Sequence, residues 1–215
     1  MRLAGRDRSR CGRVQWSDRV PRRLIYLVRH GETDWNAAER WQGHTDIPLN
    51  ATGRAQAHAV AEALSGVGLS GIVASDLSRA QETASIVAAR LGIGVAYLDA
   101  ALRERTFGCF EGLTRKECEQ LHPEAWRAWL AERRAPPGGE APETLTARVV
   151  TGIARAAEHV ARSDAPALVV THGGSMRAVL TVATGEVPGP IKNGAVWRVE
   201  WDQGLVGAHP LPEQR

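Results

Sequence analysis

Leu24-Ile25-Tyr26-Leu27-Val28-Arg29-His30-Gly31 carries an apolar, β-type run straight into an arginine, a histidine and a glycine. Ala167-Leu168-Val169-Val170-Thr171-His172-Gly173-Gly174 repeats the arrangement far along the chain. Short unbroken apolar runs suit strands buried on both faces, as in parallel sheets covered by helices. In open α/β sheets the carboxyl ends of such strands border the ligand crevice. Two imidazoles delivered to that edge, one beside a fixed cation, predict a single pocket for an anion.

The pattern between and around these runs alternates strand with helix. Residues 24–28 read as a strand, followed by a helix over about 51–64 with Asn50 at its N-cap. Gly71-Ile72-Val73-Ala74-Ser75 reads as a second strand, after which Asp76 or Ser78 caps a helix to about Arg90. Residues 94–98 form a third strand, and helices follow around 114–121 and 123–133, the latter opened by Pro123. Ala135-Pro136-Pro137-Gly138-Gly139 breaks the pattern as a surface loop. A helix from about 143 to 162 leads into the strand at 167–171, and another starts at Gly173-Gly174. Gly194–Trp201 and Leu205–Ala208 read as a hairpin across Asp202-Gln203-Gly204. The fold expected is a three-layer α/β/α sandwich around a mostly parallel sheet.

At 215 residues the chain suits one catalytic domain, expected over residues 23–215, behind a basic tail at 1–22. The overall charge of +3 hides an asymmetry. Residues 1–23 carry eight arginines against Asp7 and Asp18, a balance of +6, so the remainder sums to −3. The tail lacks a secretory hydrophobic region and reads as a solvated, disordered extension. The body offers no recognition helix or stacking platform, which argues against nucleic acid as partner. No stretch has the apolar length of a membrane span. Three cysteines, Cys11, Cys109 and Cys118, without CxxC spacing, suit free thiols in a reducing, cytoplasmic compartment. Oligomeric state, a homodimer included, is left open.

Further groups surround the two histidines. Arg79, in the first turn of a helix, is locally unfavourable because the helix N-terminus is already positive. A bound anion resolves the conflict, since amides and guanidinium then face it together. Glu104, in Leu102-Arg103-Glu104-Arg105, sits on a loop after the third strand and suits a proton donor; Glu111 competes for that role. Asn36 and Gln42-Gly43 lie on the long loop after His30, within reach of anion oxygens. His44, His58, His122 and His159 read as incidental. Trp126 and Trp129 read as core or groove lining, and Trp35 or Trp41 as an apolar wall. Asn193-Gly194 fits either a pocket position or a simple turn.

Taken together, Arg29-His30-Gly31-Glu32-Thr33 with Asn36, Ser75–Arg79, Leu102–Arg105 with Gly108 and Glu111-Gly112, and Thr171–Gly174 resemble the histidine phosphatase superfamily, in its phosphoglycerate-mutase-like branch. The resemblance runs from about Leu24 to Trp201. It implies that His30 is the nucleophile and becomes phosphohistidine. Arg29, Arg79 and His172 would embrace the phosphoryl group, with Asn36, Gln42, Gly43 and Gly173 as further substrate contacts. Glu104 would protonate the departing alkoxide and then take a proton from water. No cofactor and no metal are implied. His30 must be neutral to attack, which Arg29 and Arg79 favour by disfavouring another positive charge. His172 is expected to act protonated, as a donor to phosphoryl oxygen, coupled to His30.

Mutases of this family carry Arg-His-Tyr-Gly after the acidic position, whereas this chain has Arg105-Thr106-Phe107-Gly108. The interval before the second histidine is short. Its cations (Arg115, Lys116, Arg127, Arg133 and Arg134) lack the mutase pattern. The sequence therefore points to a phosphomonoesterase acting on a small phosphorylated metabolite, with a 2,3-bisphosphoglycerate-dependent mutase as runner-up. A zinc hydrolase using His30, His172 and Glu104 is chemically adequate, yet Arg29 and Arg79 would repel a dication. A non-catalytic phospho-ligand binder is the remaining class.

Overall fold

The computed structural model describes residues 22–159 and 165–211. The apolar runs become strands whose side chains divide by the two-residue period. Ile25 and Leu27 of β1 (Arg23–Arg29), Val73 of β2 (Gly71–Ala74) and Val169 of β4 (Ala167–Thr171) enter one core. Val28, Ile72, Ala74, Leu168 and Val170 enter the other. Helices α6 (Pro142–His159) and α7 (Gly173–Thr184) cover the first face through Val149, Ile153, Met176 and Leu180. Helices α2 (Ala51–Leu64) and α3 (Ser78–Leu91) cover the second through Val60, Leu64, Ala84 and Val87. The three-layer sandwich expected from the sequence is what forms.

With β3 (Val95–Leu98), β5 (Val196–Trp201) and β6 (Leu205–Pro210), the sheet runs β3-β2-β4-β1-β5-β6. The β3-β2, β2-β4 and β4-β1 pairs are parallel, and the closing hairpin adds β5 and β6 antiparallel. Register is what makes the site. Arg29 pairs with Thr171 and Ala74 with Val170. The His30 amide donates to the Thr171 carbonyl at 2.9 Å, and the Ser75 amide to the Val170 carbonyl at 2.9 Å. Three strands thus end level, and His30, His172 and Ser75 leave the sheet side by side.

Several boundaries differ from expectation for local reasons. A four-residue helix, α1 (Asp34–Ala37), follows the first histidine because Thr33 and Asn36 form a capping box. Neither Asp76 nor Ser78 caps α3; its N-cap is Leu77, with no side-chain bond. Asp46, from a distant loop, instead accepts the Ser78 amide at 2.8 Å. Helices α4 (Arg115–Leu121) and α5 (Pro123–Glu132) start on Thr114 and on Pro123, as read. Residues 160–162 of the long helix, Cys11 and the tail at 1–21 lie outside the described residues. A third cluster, Phe107, Phe110, Cys118, Trp126 and Trp129 with Trp41 against it, extends the molecule beyond the sheet on the site's side.

Candidate active site

His30 leaves β1 almost wholly buried, 3% exposed, and His172 at the start of α7 is completely buried. Their ring centroids lie 5.0 Å apart. The His30 Nδ1–H donates to the Gly31 carbonyl at 2.6 Å, which leaves Nε2 as the free lone pair. Gly31 permits this placement. A Cβ there would stand 2.2 Å from the Gly53 carbonyl oxygen, so only glycine lets α2 approach the loop.

Arg79 is the largest fully buried side chain. Its Nη1 donates to the Thr45 carbonyl at 3.0 Å and its Nη2 to the Gly43 carbonyl at 2.8 Å. Arg29 Nη1 donates to the Ile191 carbonyl at 2.6 Å. Neither guanidinium is neutralised by an ion pair among the described residues, and the Nε of each is buried without a partner, as is His172 Nδ1. Buried donors left unpaired are costly, and here three gather beside one free imidazole nitrogen. Such a cluster is built to receive an anion.

Electrostatics follow from this burial. His30 is held well below the ordinary imidazole range, first by desolvation and then by Arg79 and Arg29. His172 is lowered likewise, by burial, Arg79, His30, Arg29 and Arg148. The expectation for His30 is met. For His172 the sequence reading expected a protonated donor; burial first, and then the two arginines, disfavour that charge in the unliganded fold.

Glu104 reaches the site from the loop after β3. One carboxylate oxygen accepts the Arg105 amide at 2.8 Å and the other the Gly174 amide at 2.9 Å. A Cβ at residue 174 would stand 2.3 Å from Glu104 Oε1, so a larger residue there would push the carboxylate from this position. The neighbouring cations do not claim the carboxylate. Arg103 pairs with Asp76 at 2.6 Å, and Arg105 lies over the Trp129 ring at 4.5 Å. The rival, Glu111, is committed elsewhere: it accepts the Phe107 amide at 3.0 Å and the Thr45 hydroxyl at 2.7 Å, stapling two loops.

Asn36 Oδ1 accepts the Thr33 amide and Asn193 Nδ2, at 3.2 and 3.1 Å, which leaves its NH2 end for a ligand. Arg29, His30, Asn36, Gln42, Arg79 and Glu104 border one cavity of about 780 Å³. Gly43 and Gly173 border it too, and Trp41, Trp126 and Trp129 form an aromatic wall. Trp35 packs on Gly112 instead. Every sequence-derived site residue except the deeper His172 therefore lines the same space.

Residues 25–206 match the family model of the histidine phosphatase superfamily, branch 1. The chain belongs to this superfamily. It is 42% identical over 159 residues to phosphoglycerate mutase-like protein 4 of Arabidopsis thaliana, covering 72% of this chain and 68% of that one. It is 37% identical over 164 residues to the uncharacterized phosphatase PhoE of Bacillus subtilis (strain 168), covering 76% and 79%. A solved mycobacterial glucosyl-3-phosphoglycerate phosphatase, complexed with VO3, aligns with a TM-score of 0.76 at 31% identity over 87% of this chain and 97% of that chain.

Within this superfamily scaffold, several supporting residues escaped the sequence reading. Asn193, left open there, donates to the His30 carbonyl at 3.0 Å as well as to Asn36. His44, read as incidental, donates from Nε2 to the Glu104 carbonyl at 2.8 Å. Arg148 on α6 donates to the carbonyls of Ala101, Arg103 and Glu104 and pairs with Glu140 at 2.7 Å. No short motif announces these contacts, because each partner lies more than forty residues away except Glu140. Ser75 carried a signal, its place at a strand end, but its partner is visible only in three dimensions.

Proposed function

We propose that this chain is a phosphomonoester hydrolase that acts through a phosphohistidine at His30 on a small phosphorylated metabolite. The observation that carries the reading is the neutral, correctly tethered His30 Nε2 set among three unpaired buried donors. A substrate phosphate enters with its oxygens toward Arg29 Nε, Arg79 Nε, His172 and the Asn36 amide. The Gly174 and Arg105 amides hold Glu104 at the leaving-group side. His30 Nε2 attacks phosphorus as the ester P–O bond breaks, and Glu104 protonates the departing alkoxide. Water then attacks the phosphohistidine, Glu104 takes its proton, the P–N bond breaks, and inorganic phosphate leaves. Phosphoryl transfer asks little of a protein beyond positioning and charge stabilisation, which fixed, preorganised donors supply.

The superfamily relatives include proteins named as mutases, so the first half-reaction alone does not identify the acceptor. Incubation with 3-phosphoglycerate separates the two: release of inorganic phosphate without 2-phosphoglycerate supports hydrolysis, and accumulation of 2-phosphoglycerate overturns it. The P–N bond of a phosphohistidine is labile in acid and stable in alkali, so the intermediate is trapped by rapid alkaline quench with substrate labelled in its phosphate. His30→Ala should lose the label and lower turnover by about a thousandfold or more. Label retained in that variant would place the nucleophile elsewhere. Residues 23–215 are proposed as the catalytic domain.

A further inference from the structure

The deepest group of the site, His172, has one ring nitrogen committed to a residue for which the mechanism above has no use. Ser75 Oγ lies 2.8 Å from His172 Nε2, and both residues are completely buried. The direction of this bond follows from counting protons. The Leu77 amide donates to Ser75 Oγ at 3.4 Å, occupying one acceptor position of the hydroxyl. The hydroxyl proton needs an acceptor of its own, and His172 Nε2 is the partner the geometry offers among the described residues. A proton left unpaired in the core would be costly.

We propose that Ser75 is a positioning residue that fixes the tautomer of His172, keeping its proton on Nδ1 so that an uncharged imidazole donates to the phosphoryl group. This rests on the phosphohydrolase reading above. Nδ1 is buried without a protein partner, in the same company as the unpaired Nε atoms of Arg29 and Arg79. It also resolves the conflict between a donor role for His172 and the neutral state its surroundings impose. Arg79 from α3, Arg29 from β1, His30 beside it and Arg148 from α6 all act against a positive charge on this ring. The Glu104 carboxylate, bound at the Gly174 amide two residues on, is the nearby anion at the start of α7. A neutral donor needs no protonation to work, so the hydrogen bond persists through neutral and alkaline pH.

Without the hydroxyl, a neutral His172 can place its proton on either nitrogen, and Nδ1–H is guaranteed only in the cation. Ser75→Ala should therefore lower kcat by about tenfold or more, by a similar factor from mildly acid to alkaline pH, because burial and the neighbouring arginines disfavour the cation throughout that range. KM should change far less than kcat. Ser75→Thr, which keeps the hydroxyl, should restore the wild-type profile. In parallel, long-range ¹H–¹⁵N spectra of the unliganded wild-type protein should show His172 protonated on Nδ1 at neutral pH. A proton on Nε2, or a Ser75→Ala kcat equal to wild type, overturns the proposal. The spectrum also decides the matter if Ser75→Ala fails to fold. Failure of the hydrolase reading is distinguishable: it appears as missing His30 phosphoenzyme, whereas the tautomer is read with no substrate present.

Discussion

His30 and His172 are kept neutral by the fold, and that has a consequence for stability. In the unfolded chain each histidine titrates near 6.5, whereas in the folded protein both are held well below it. Between the folded and unfolded values the unfolded chain binds more protons, so stability falls as pH drops below about 6.5. Each buried histidine contributes a slope of up to about 1.4 kcal/mol per pH unit in that window. Urea unfolding between pH 5 and pH 7.5 should show this loss toward acid, and His30→Asn should flatten it. A wild-type protein that gains stability on acidification would contradict the buried, neutral pair. The same residues predict turnover that holds at mildly acid pH, because His30 stays unprotonated there.

At the scale of elements, the loop after β3 shows how the proposed proton donor, Glu104, is held without regular structure of its own. Arg148 of α6 satisfies three of its carbonyls, and His44 shares the one at Glu104. Arg148→Met strips all of these and leaves Glu140 without its partner. We expect a cost of roughly 2 kcal/mol, discounted because the pair is partly exposed. We also expect kcat to drop about tenfold with little change in KM, since the phosphate-gripping donors stay in place. An unchanged kcat would mean that the Gly174 and Arg105 amides position Glu104 unaided. Gly31→Ala tests another junction. Its methyl would force α2 from the His30 loop, which should destabilise the fold by about 1–3 kcal/mol and impair turnover.

These elements also show what could be read in advance and what could not. The strand ends at His30 and His172 were legible because an apolar run with a polar, glycine-marked end has one cheap burial, inside a covered sheet. Arg79 was legible because the first turn of a helix, already positive, carried a further cation. The short α1 helix was not foreseen, as its cap is a local side-chain bargain too brief to leave a periodic pattern. The Asp46 cap on α3 and the Arg148 brace join segments 32 and more residues apart, and no window of sequence contains both partners. The charge of His172 was not legible, because it depends on how deeply the ring is buried and on how many cations share its enclosure.

For the whole molecule, ligand binding and folding are linked through the unpaired donors. On the proposed function, an oxyanion would satisfy Arg29, Arg79 and His172 and bind only the folded state. At a hundred times its dissociation constant it should stabilise the protein by about 2.7 kcal/mol. Vanadate should therefore raise the melting temperature and block hydrolysis, and Arg79→Met should abolish both effects. Equal stabilisation of that variant would show that the anion binds elsewhere. A chain starting at residue 22, which keeps the Arg22–Glu200 ion pair, should retain turnover and melting temperature.

The sequence by itself determined which residues could be strands, which helices would cover them, and that two histidines and an arginine would reach the same sheet edge. Those outcomes follow from local patterns of polarity, whose burial has only one economical arrangement. Tertiary structure alone decided the burial and cationic company of the imidazoles, which carboxylate faces them, and the braces that hold the Glu104 loop. Each of these depends on distances between segments far apart in the chain, and electrostatic and hydrogen-bond energies are set by such distances.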